Sequence, residues 1–120
     1  MINKEDANIL IVDDIEDNRY TLERRLKRDG YKNIFLAEGG KTALDMATKN
    51  KFDLILLDLM MPDMSGLEVL KHLKGDPLQR SIPVIMVTAS DEVETAAECI
   101  INGADDFITK PFNGTLLKAR

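Results

Sequence analysis

The chain has 120 residues, of which 44% are apolar, and this fits one globular domain with a single core and leaves no room for a second domain. The formal net charge is -5 and no basic run offsets it, which excludes direct nucleic-acid binding by this domain. No apolar stretch approaches the roughly 18 residues that a membrane span needs, and the N-terminus lacks a signal-like pattern. We therefore expect a cytoplasmic protein without membrane contact.

Five segments are predicted as strands, in chain order 9–12, 34–37, 54–57, 84–87 and 106–109. The first, third and fourth are short, continuous apolar runs, too short for helices and rich in leucine or β-branched residues. The second and fifth have a weaker pattern. Continuous rather than alternating apolar runs indicate strands that are covered on both faces, which is typical of a parallel sheet between helices.

A helical period follows each of these strands. Gly30 suits the end of the first helix, and the third begins near Ser65 or Gly66. Asp91 and Glu94, at capping-box spacing, predict the start of the fourth helix. The residues predicted to face the core are, helix by helix, Leu22 and Leu26; Ala43, Leu44 and Ala47; Leu67 and Leu70; Val93, Ala97 and Ile100; and Leu116 and Leu117.

Strand and helix alternate five times, and right-handed crossovers between parallel strands leave few topologies for this order. The fold class is therefore predicted to be α/β, a doubly wound five-stranded parallel sheet with helices on both faces. In such a sheet, ligands bind beyond the carboxyl ends of the strands. The last helix is expected to continue past Arg120, so we expect residues 1–120 to be one domain of a longer protein.

Polar residues stand at the predicted carboxyl ends of four strands: Asp13 and Asp14, Asp58, Thr88 and Lys110. If they converge, three carboxylates share one small cleft, where a pair about 4 Å apart repels by about 4 kcal/mol at an effective dielectric near 20. An all-oxygen site of this kind suits Mg²⁺ better than zinc or copper. The pattern predicts a magnesium-dependent phosphoryl-transfer site with a carboxylate nucleophile, in which Lys110 and Thr88 contact phosphoryl oxygens.

Four motifs at these strand ends together resemble the response-regulator receiver family: IVDD at 11–14, DLMMPDMSG at 58–66, TAS at 88–90 and KPF at 110–112. The resemblance covers essentially the whole chain, and four motifs in the right order are far more specific than a single short pattern. A receiver domain would have the flavodoxin-like strand order 2-1-3-4-5.

The resemblance implies that Asp58 accepts a phosphoryl group from a phosphohistidine on a sensor histidine kinase or a histidine phosphotransfer protein. It also implies that the chain is a signalling domain and not an enzyme, apart from its own phosphotransfer and dephosphorylation. The implied magnesium site is formed by Asp14, Asp58 and the backbone carbonyl of Met60, which bind the ion directly, and by Asp13, which acts mostly through a metal-bound water.

A conformational switch is also implied, in which the Thr88 hydroxyl moves toward the phosphoryl group and the aromatic ring of Phe107 repacks. The family often has tyrosine where this chain has Phe107, so a hydrogen bond from the ring is lost here. The face formed by the fourth helix, fifth strand and fifth helix is the implied surface for homodimerisation or partner contact. The Lys110–Pro111 bond is expected to be cis.

Other interpretations remain open from the sequence. Asp13 and Asp14 alone could be a helix cap, and an aspartyl-phosphate phosphatase of the haloacid dehalogenase type would need a second aspartate at Met60. A flavin or nucleotide binder would need a Gly-rich loop or stacking aromatics that the chain lacks. A degenerate receiver could act only as a protein-docking module. Cys99 is predicted to be a buried apolar residue, and His72 a surface residue.

Overall fold

The computed structural model describes residues 3–89 and 92–110, apart from the side chain of Val93. Five parallel strands form one sheet in the order β2-β1-β3-β4-β5. The predicted α/β class and strand order are confirmed. The strands are β1 (Asn8–Val12), β2 (Asn33–Ala37), β3 (Leu54–Asp58), β4 (Val84–Thr88) and β5 (Asp106–Thr109).

Four helices lie between consecutive strands: α1 (Glu16–Arg28), α2 (Gly40–Lys49), α3 (Gly66–Gly75) and α4 (Val93–Ile101). The predicted fifth helix, the Lys110–Pro111 bond and Asp91 fall wholly or partly outside the described residues. Within the described residues, no helix is long and apolar enough to cross a membrane.

The helices cover both faces of the sheet, as the continuous apolar runs predicted. One face is covered by α1, whose Leu22 and Leu26 pack against Ile9, Ile11 and other buried side chains of the central strands. The other face carries the larger cluster, to which α2, α3 and α4 contribute. Burial on both sides accounts for the near-total exclusion of solvent from β1, β3 and β4.

Two glycines end helices in the left-handed backbone region. Gly30 has φ 105° and Gly103 has φ 110°. After α1, the N–H of Gly30 donates to the Lys27 carbonyl and the N–H of Tyr31 to the Leu26 carbonyl. This pair of bonds is a Schellman motif, in which a residue with a Cβ would be strained. The prediction that the first helix ends at Gly30 is confirmed.

The start of α3 agrees with the sequence, since Ser65 is its N-cap and forms a capping box with Glu68. Its core face is made by Val69, Leu70 and Leu73, whereas Leu67 is only partly buried.

For α4, the predicted core positions Ala97 and Ile100 were wrong, and the side chain of Val93, the third predicted position, lies outside the described residues. The structure buries Ala96 and Cys99, while Ala97 is exposed and Ile100 is 39% exposed. The apolar residues of this helix form two stripes, and the stripe of small side chains is the one that packs on the sheet. Cys99 is buried, as predicted.

Substitution of Gly66 tests how closely α3 approaches the end of β3. A Cβ at Gly66 would overlap the Asp58 carbonyl oxygen and lie 2.9 Å from the Leu59 Cα, both backbone atoms that cannot move aside. We expect Gly66→Ala to lower the free energy of unfolding by about 2 kcal/mol or more, measured by urea denaturation. The control in the same helix is Gly75→Ala, which meets nothing within 4 Å and should be neutral or stabilising by up to about 1 kcal/mol. Equal effects of the two variants would contradict this packing.

Candidate functional site

The carboxyl ends of four neighbouring strands carry the predicted site residues. Asp58 is the last residue of β3 and Thr88 the last of β4, while Asp13 follows β1 and Lys110 follows β5. Because these strands are adjacent and parallel, their ends meet at one edge of the sheet. The sequence therefore placed these four residues correctly.

The three carboxylates form one cluster. Asp13, Asp14 and Asp58 each offer an oxygen, and these oxygens all lie within 4.8 Å of one another. The Lys110 Nζ reaches into the cluster, 3.3 Å from Asp58 Oδ1 and 3.6 Å from Asp13 Oδ2. One ammonium thus faces three carboxylates, and the cluster keeps a net negative charge when all of them are ionised.

Asp13 is almost completely buried, and its two carboxylate oxygens differ in their contacts. Oδ1 accepts a hydrogen bond from the Ile15 N–H at 2.9 Å and a longer one from the Asn18 amide at 3.5 Å. Oδ2 has no hydrogen-bond partner among the described residues and only the longer ion pair with Lys110. A buried oxygen without a hydrogen bond makes folding less favourable unless a further group binds it.

Asp58 is also buried, and this burial raises its pKa from 3.8 to about 6. The negative charge of Asp13 adds to the rise, and Asp14 contributes a smaller part. The Lys110 ammonium and its hydrogen bond act in the opposite direction without cancelling the effect. The geometry therefore disfavours the ionised Asp58 carboxylate, first by burying it and second by placing Asp13 beside it.

These donors fit a hard divalent cation. All are oxygens, three carboxylates lie close enough to share one ion, and the unpartnered Asp13 Oδ2 is available to a ligand. Among the described residues, no cysteine or histidine, whose side chains favour zinc or copper, belongs to this cluster. Met60, whose carbonyl is a predicted ligand, lies in the loop two residues after Asp58 and exposes 61% of its surface.

Thr88 is fully buried, and its hydroxyl has no hydrogen-bond partner in the described part of the chain. In the register of β4 with β5, Thr88 pairs with Thr109 and Met86 pairs with Phe107. Since side chains alternate along a strand, Thr88 and Phe107 belong to the same face of the sheet. Phe107 is partly buried against the larger core cluster on that face.

Two site contacts were not predicted from the sequence. Arg19 donates a 2.6 Å hydrogen bond to the backbone carbonyl of Asp13, and Asn18 contacts the Asp13 carboxylate. Both residues lie near the start of α1, a few positions after Asp13 and Asp14. This proximity in the sequence is the feature from which contact with Asp13 could have been predicted. The bending of the Arg19 side chain back toward β1 has no signature in the sequence. His72, in contrast, is exposed on α3, as predicted.

A family model described as a response regulator receiver domain matches residues 9–120. The chain belongs to this family.

Similar curated proteins and solved structures agree with this family assignment. The chain is 46% identical to the response regulator PleD of Caulobacter vibrioides over 114 residues, which is 95% of this chain and 25% of PleD. It is 36% identical to the chemotaxis protein CheY-3 of Vibrio cholerae over 120 residues, which is all of this chain and 92% of that protein. Among solved structures, Vibrio cholerae CheY4 has a TM-score of 0.85 at 35% identity, with 94% of each chain covered. The chain thus spans a quarter of PleD and nearly all of CheY-3.

Membership of the receiver family settles the broad class of the protein. Receiver domains are signalling domains that interact with histidine kinases or phosphotransfer proteins, and they bind Mg²⁺ at an aspartate cluster such as the one formed here. The competing sequence interpretations as a phosphatase or a flavin binder find no support in the family match.

Replacing the Asp58 carboxylate should make this receiver domain more stable. The folded-state pKa of Asp58 is raised, so folding becomes less favourable as pH rises from 3.8 to about 6 and the buried carboxyl must ionise. We expect Asp58→Asn to exceed the native chain in free energy of unfolding by up to about 3 kcal/mol at pH 7 in the presence of a chelator. The difference should shrink as pH falls through 3.8 and vanish well below it, where the carboxyl is protonated in both the folded and the unfolded state.

Urea denaturation across this pH range measures the effect. Asp6→Asn, at an exposed position, is the control and should change stability by less than about 0.5 kcal/mol. A less stable Asp58→Asn at pH 7 would contradict the electrostatic picture of the site.

Proposed function

We propose that this receiver domain accepts a phosphoryl group on Asp58 from a phosphohistidine of a sensor histidine kinase or a histidine phosphotransfer protein. The observation that carries the proposal is the placement of Asp58. Its buried carboxylate lies between a lysine ammonium and two further carboxylates at the carboxyl edge of the sheet. The resulting change in shape would control an output domain or a partner protein.

Asp58 is suited to act as the nucleophile. Because its pKa is about 6, the Asp58 carboxyl is ionised in most molecules at neutral pH, and the carboxylate can attack phosphorus. As the new bond between phosphorus and the Asp58 oxygen forms, the bond between phosphorus and the donor imidazole nitrogen breaks. The imidazole leaves with the electron pair of that bond and takes up a proton from solvent.

Lys110 has two tasks in this account. Before transfer, its ammonium bonds the Asp58 carboxylate and offsets part of the repulsion from Asp13. Once Asp58 carries the phosphoryl group, the same ammonium can contact a phosphoryl oxygen, because a lysine side chain is flexible.

Magnesium would be held by Asp13, Asp14, Asp58 and the backbone carbonyl of Met60. The ion, when bound, supplies positive charge that neutralises both the carboxylates and the phosphoryl oxygens. The Asp13 oxygen without a hydrogen-bond partner supports this assignment, as does the purely oxygen donor set.

Thr88 supports a conformational switch. Its buried hydroxyl lacks a hydrogen-bond acceptor within the described residues, and a phosphoryl oxygen on Asp58 would supply one. This contact exists only in the phosphorylated state, so it can shift the equilibrium between two conformations. The Phe107 ring, on the same face of the sheet, would repack into the space that Thr88 leaves.

The output surface is proposed to include α4, β5 and the segment after β5. Two residues of α4, Ile100 and Ile101, are 39% and 85% exposed, and such adjacent apolar side chains favour contact with a partner or a second copy. Phosphorylation near Phe107 would remodel this surface. The net negative charge argues against direct nucleic-acid binding by the domain.

A degenerate receiver that only docks to other proteins is the alternative function. Such a domain has no need of an intact acceptor site, whereas this chain retains the carboxylate cluster and the Lys110 contact with Asp58. Acceptance of phosphate therefore separates the two functions.

Intact mass spectrometry after incubation with magnesium and acetyl phosphate tests acceptance. We expect one phosphoryl group to be added to the native chain and none to Asp58→Asn, because the nucleophile is then missing. Asp53→Asn, at the opposite end of the sheet, should be phosphorylated like the native chain. Removal of magnesium with a chelator should abolish the addition. An unmodified native chain that nevertheless binds magnesium would overturn the acceptor role and favour the docking module.

A further inference from the structure

The first turn of α2 is capped by a side chain from a distant loop. Gly39 holds the N-cap position and has no side chain to accept a hydrogen bond, and the first turn of α2 contains no acidic residue. Instead, Asp63 Oδ1 accepts from the Gly40 N–H at 3.2 Å, and Oδ2 accepts from the Lys41 N–H at 3.1 Å. Asp63 thus binds two of the free amides at the positive end of this helix.

The backbone of α2 is built to receive this carboxylate. A Cβ on Gly39 would lie 2.9 Å from Asp63 Oδ2, and a Cβ on Gly40 would lie 2.7 Å from a Val69 methyl and 2.9 Å from the Met64 Cβ. The glycine pair therefore allows the loop and the start of α3 to approach α2 closely. The two amides also lower the pKa of Asp63, so the cap is charged at neutral pH.

The bonds of Asp63 to α2 anchor one end of the loop that follows Asp58, the proposed phosphoacceptor. At the other end, the Leu59 N–H donates to the Val87 carbonyl at 3.2 Å, and the Leu59 carbonyl accepts from the Gly66 N–H at 2.8 Å. Between these two anchors lie residues 60–62. Met61 packs into the core, whereas the Met60 side chain projects into solvent and cannot fix its own backbone. Contacts at both loop ends, together with the burial of Met61, therefore restrict the backbone of Met60.

We propose that Asp63 is a positioning residue for the magnesium site, acting through its cap on α2 to hold the Met60 carbonyl toward the aspartate cluster. The inference rests on the proposed function, because it assumes that this carbonyl binds the ion. It adds a residue outside the cluster, on the far side of the loop from Asp58. Groups that orient metal ligands in this way contribute substantially to metal affinity.

The test is magnesium affinity of the folded, unphosphorylated chain, measured by isothermal titration calorimetry. We expect Asp63→Ala to raise the dissociation constant about tenfold, and Asp63→Asn to raise it less, because an amide oxygen still accepts one hydrogen bond. Asp53→Asn is the matched control. The Asp53 carboxylate also accepts a backbone N–H from another element, that of Asn8 at 2.8 Å, but at the opposite edge of the sheet.

Amide hydrogen exchange at Gly40 and Lys41 gives a second readout that is independent of magnesium. Exchange at both amides should accelerate in Asp63→Ala and remain native in Asp53→Asn, since only the first substitution removes their acceptor. All titrations are made at a temperature at which circular dichroism shows each variant to be folded.

The outcomes separate the inference from the proposed function. A graded loss of affinity, in the order native, Asp63→Asn, Asp63→Ala, with native affinity in Asp53→Asn, would support the positioning role. Equal affinity in all four proteins, or an equal loss in Asp53→Asn and Asp63→Ala, would overturn it while leaving the phosphoacceptor site intact. A native chain that binds no magnesium would contradict the proposed function itself.

Discussion

Burial of two neighbouring carboxylates, with a third beside them, is the constraint on which the rest of the site depends. Asp13 and Asp58 are buried, and Asp14 lies with them in one cluster that Lys110 only partly neutralises. Without a bound cation, burial of the Asp58 carboxyl, together with the nearby charge of Asp13, opposes its ionisation and raises its pKa to about 6. The same negative charge favours binding of a divalent cation, which would relieve the repulsion. The buried carboxylates thus lower the free energy of unfolding at the place where the proposed chemistry occurs.

Burial of apolar side chains on both faces of the parallel sheet offsets the destabilising effect of the buried carboxylates. Strands β1, β3 and β4 are covered on both faces, and their apolar side chains fill two core clusters. The loops that leave these strands are then fixed by specific contacts rather than by burial. Ile15, Asn18 and Arg19 hold Asp13 from the start of α1, and the close approach of Gly66 fixes the backbone at Asp58. A rigid frame of this kind can keep like charges close together.

Much of this arrangement could be predicted from the sequence because its signals are local. Apolar runs ending in Asp13, Asp58 and Thr88 identify both the strands and the edge where their last residues meet. The strand order and the convergence of Asp13, Asp14, Asp58 and Lys110 were confirmed. The order itself came from the family resemblance, since alternation of strands and helices does not determine it.

Contacts made through long-range packing could not be predicted. The core face of α4 was assigned wrongly, because apolar residues occur on two sides of the helix and tertiary contacts select Ala96 and Cys99. The contact of Arg19 with the Asp13 carbonyl depends on a side-chain conformation, and the cap of Asp63 on α2 joins residues 22 and 23 positions apart. Neither leaves a periodic pattern in the chain.

Direct titration of the Asp58 carboxyl by carbon-13 NMR is the measurement that tests the central claim. Without metal, the account predicts a midpoint near pH 6, well above the ordinary value of 3.8. Saturation with magnesium should move the midpoint downward, because a bound cation favours the ionised carboxylate. A metal-free midpoint at or below 3.8, or a raised midpoint that magnesium does not change, would contradict the view that burial and repulsion at Asp58 favour binding of a cation.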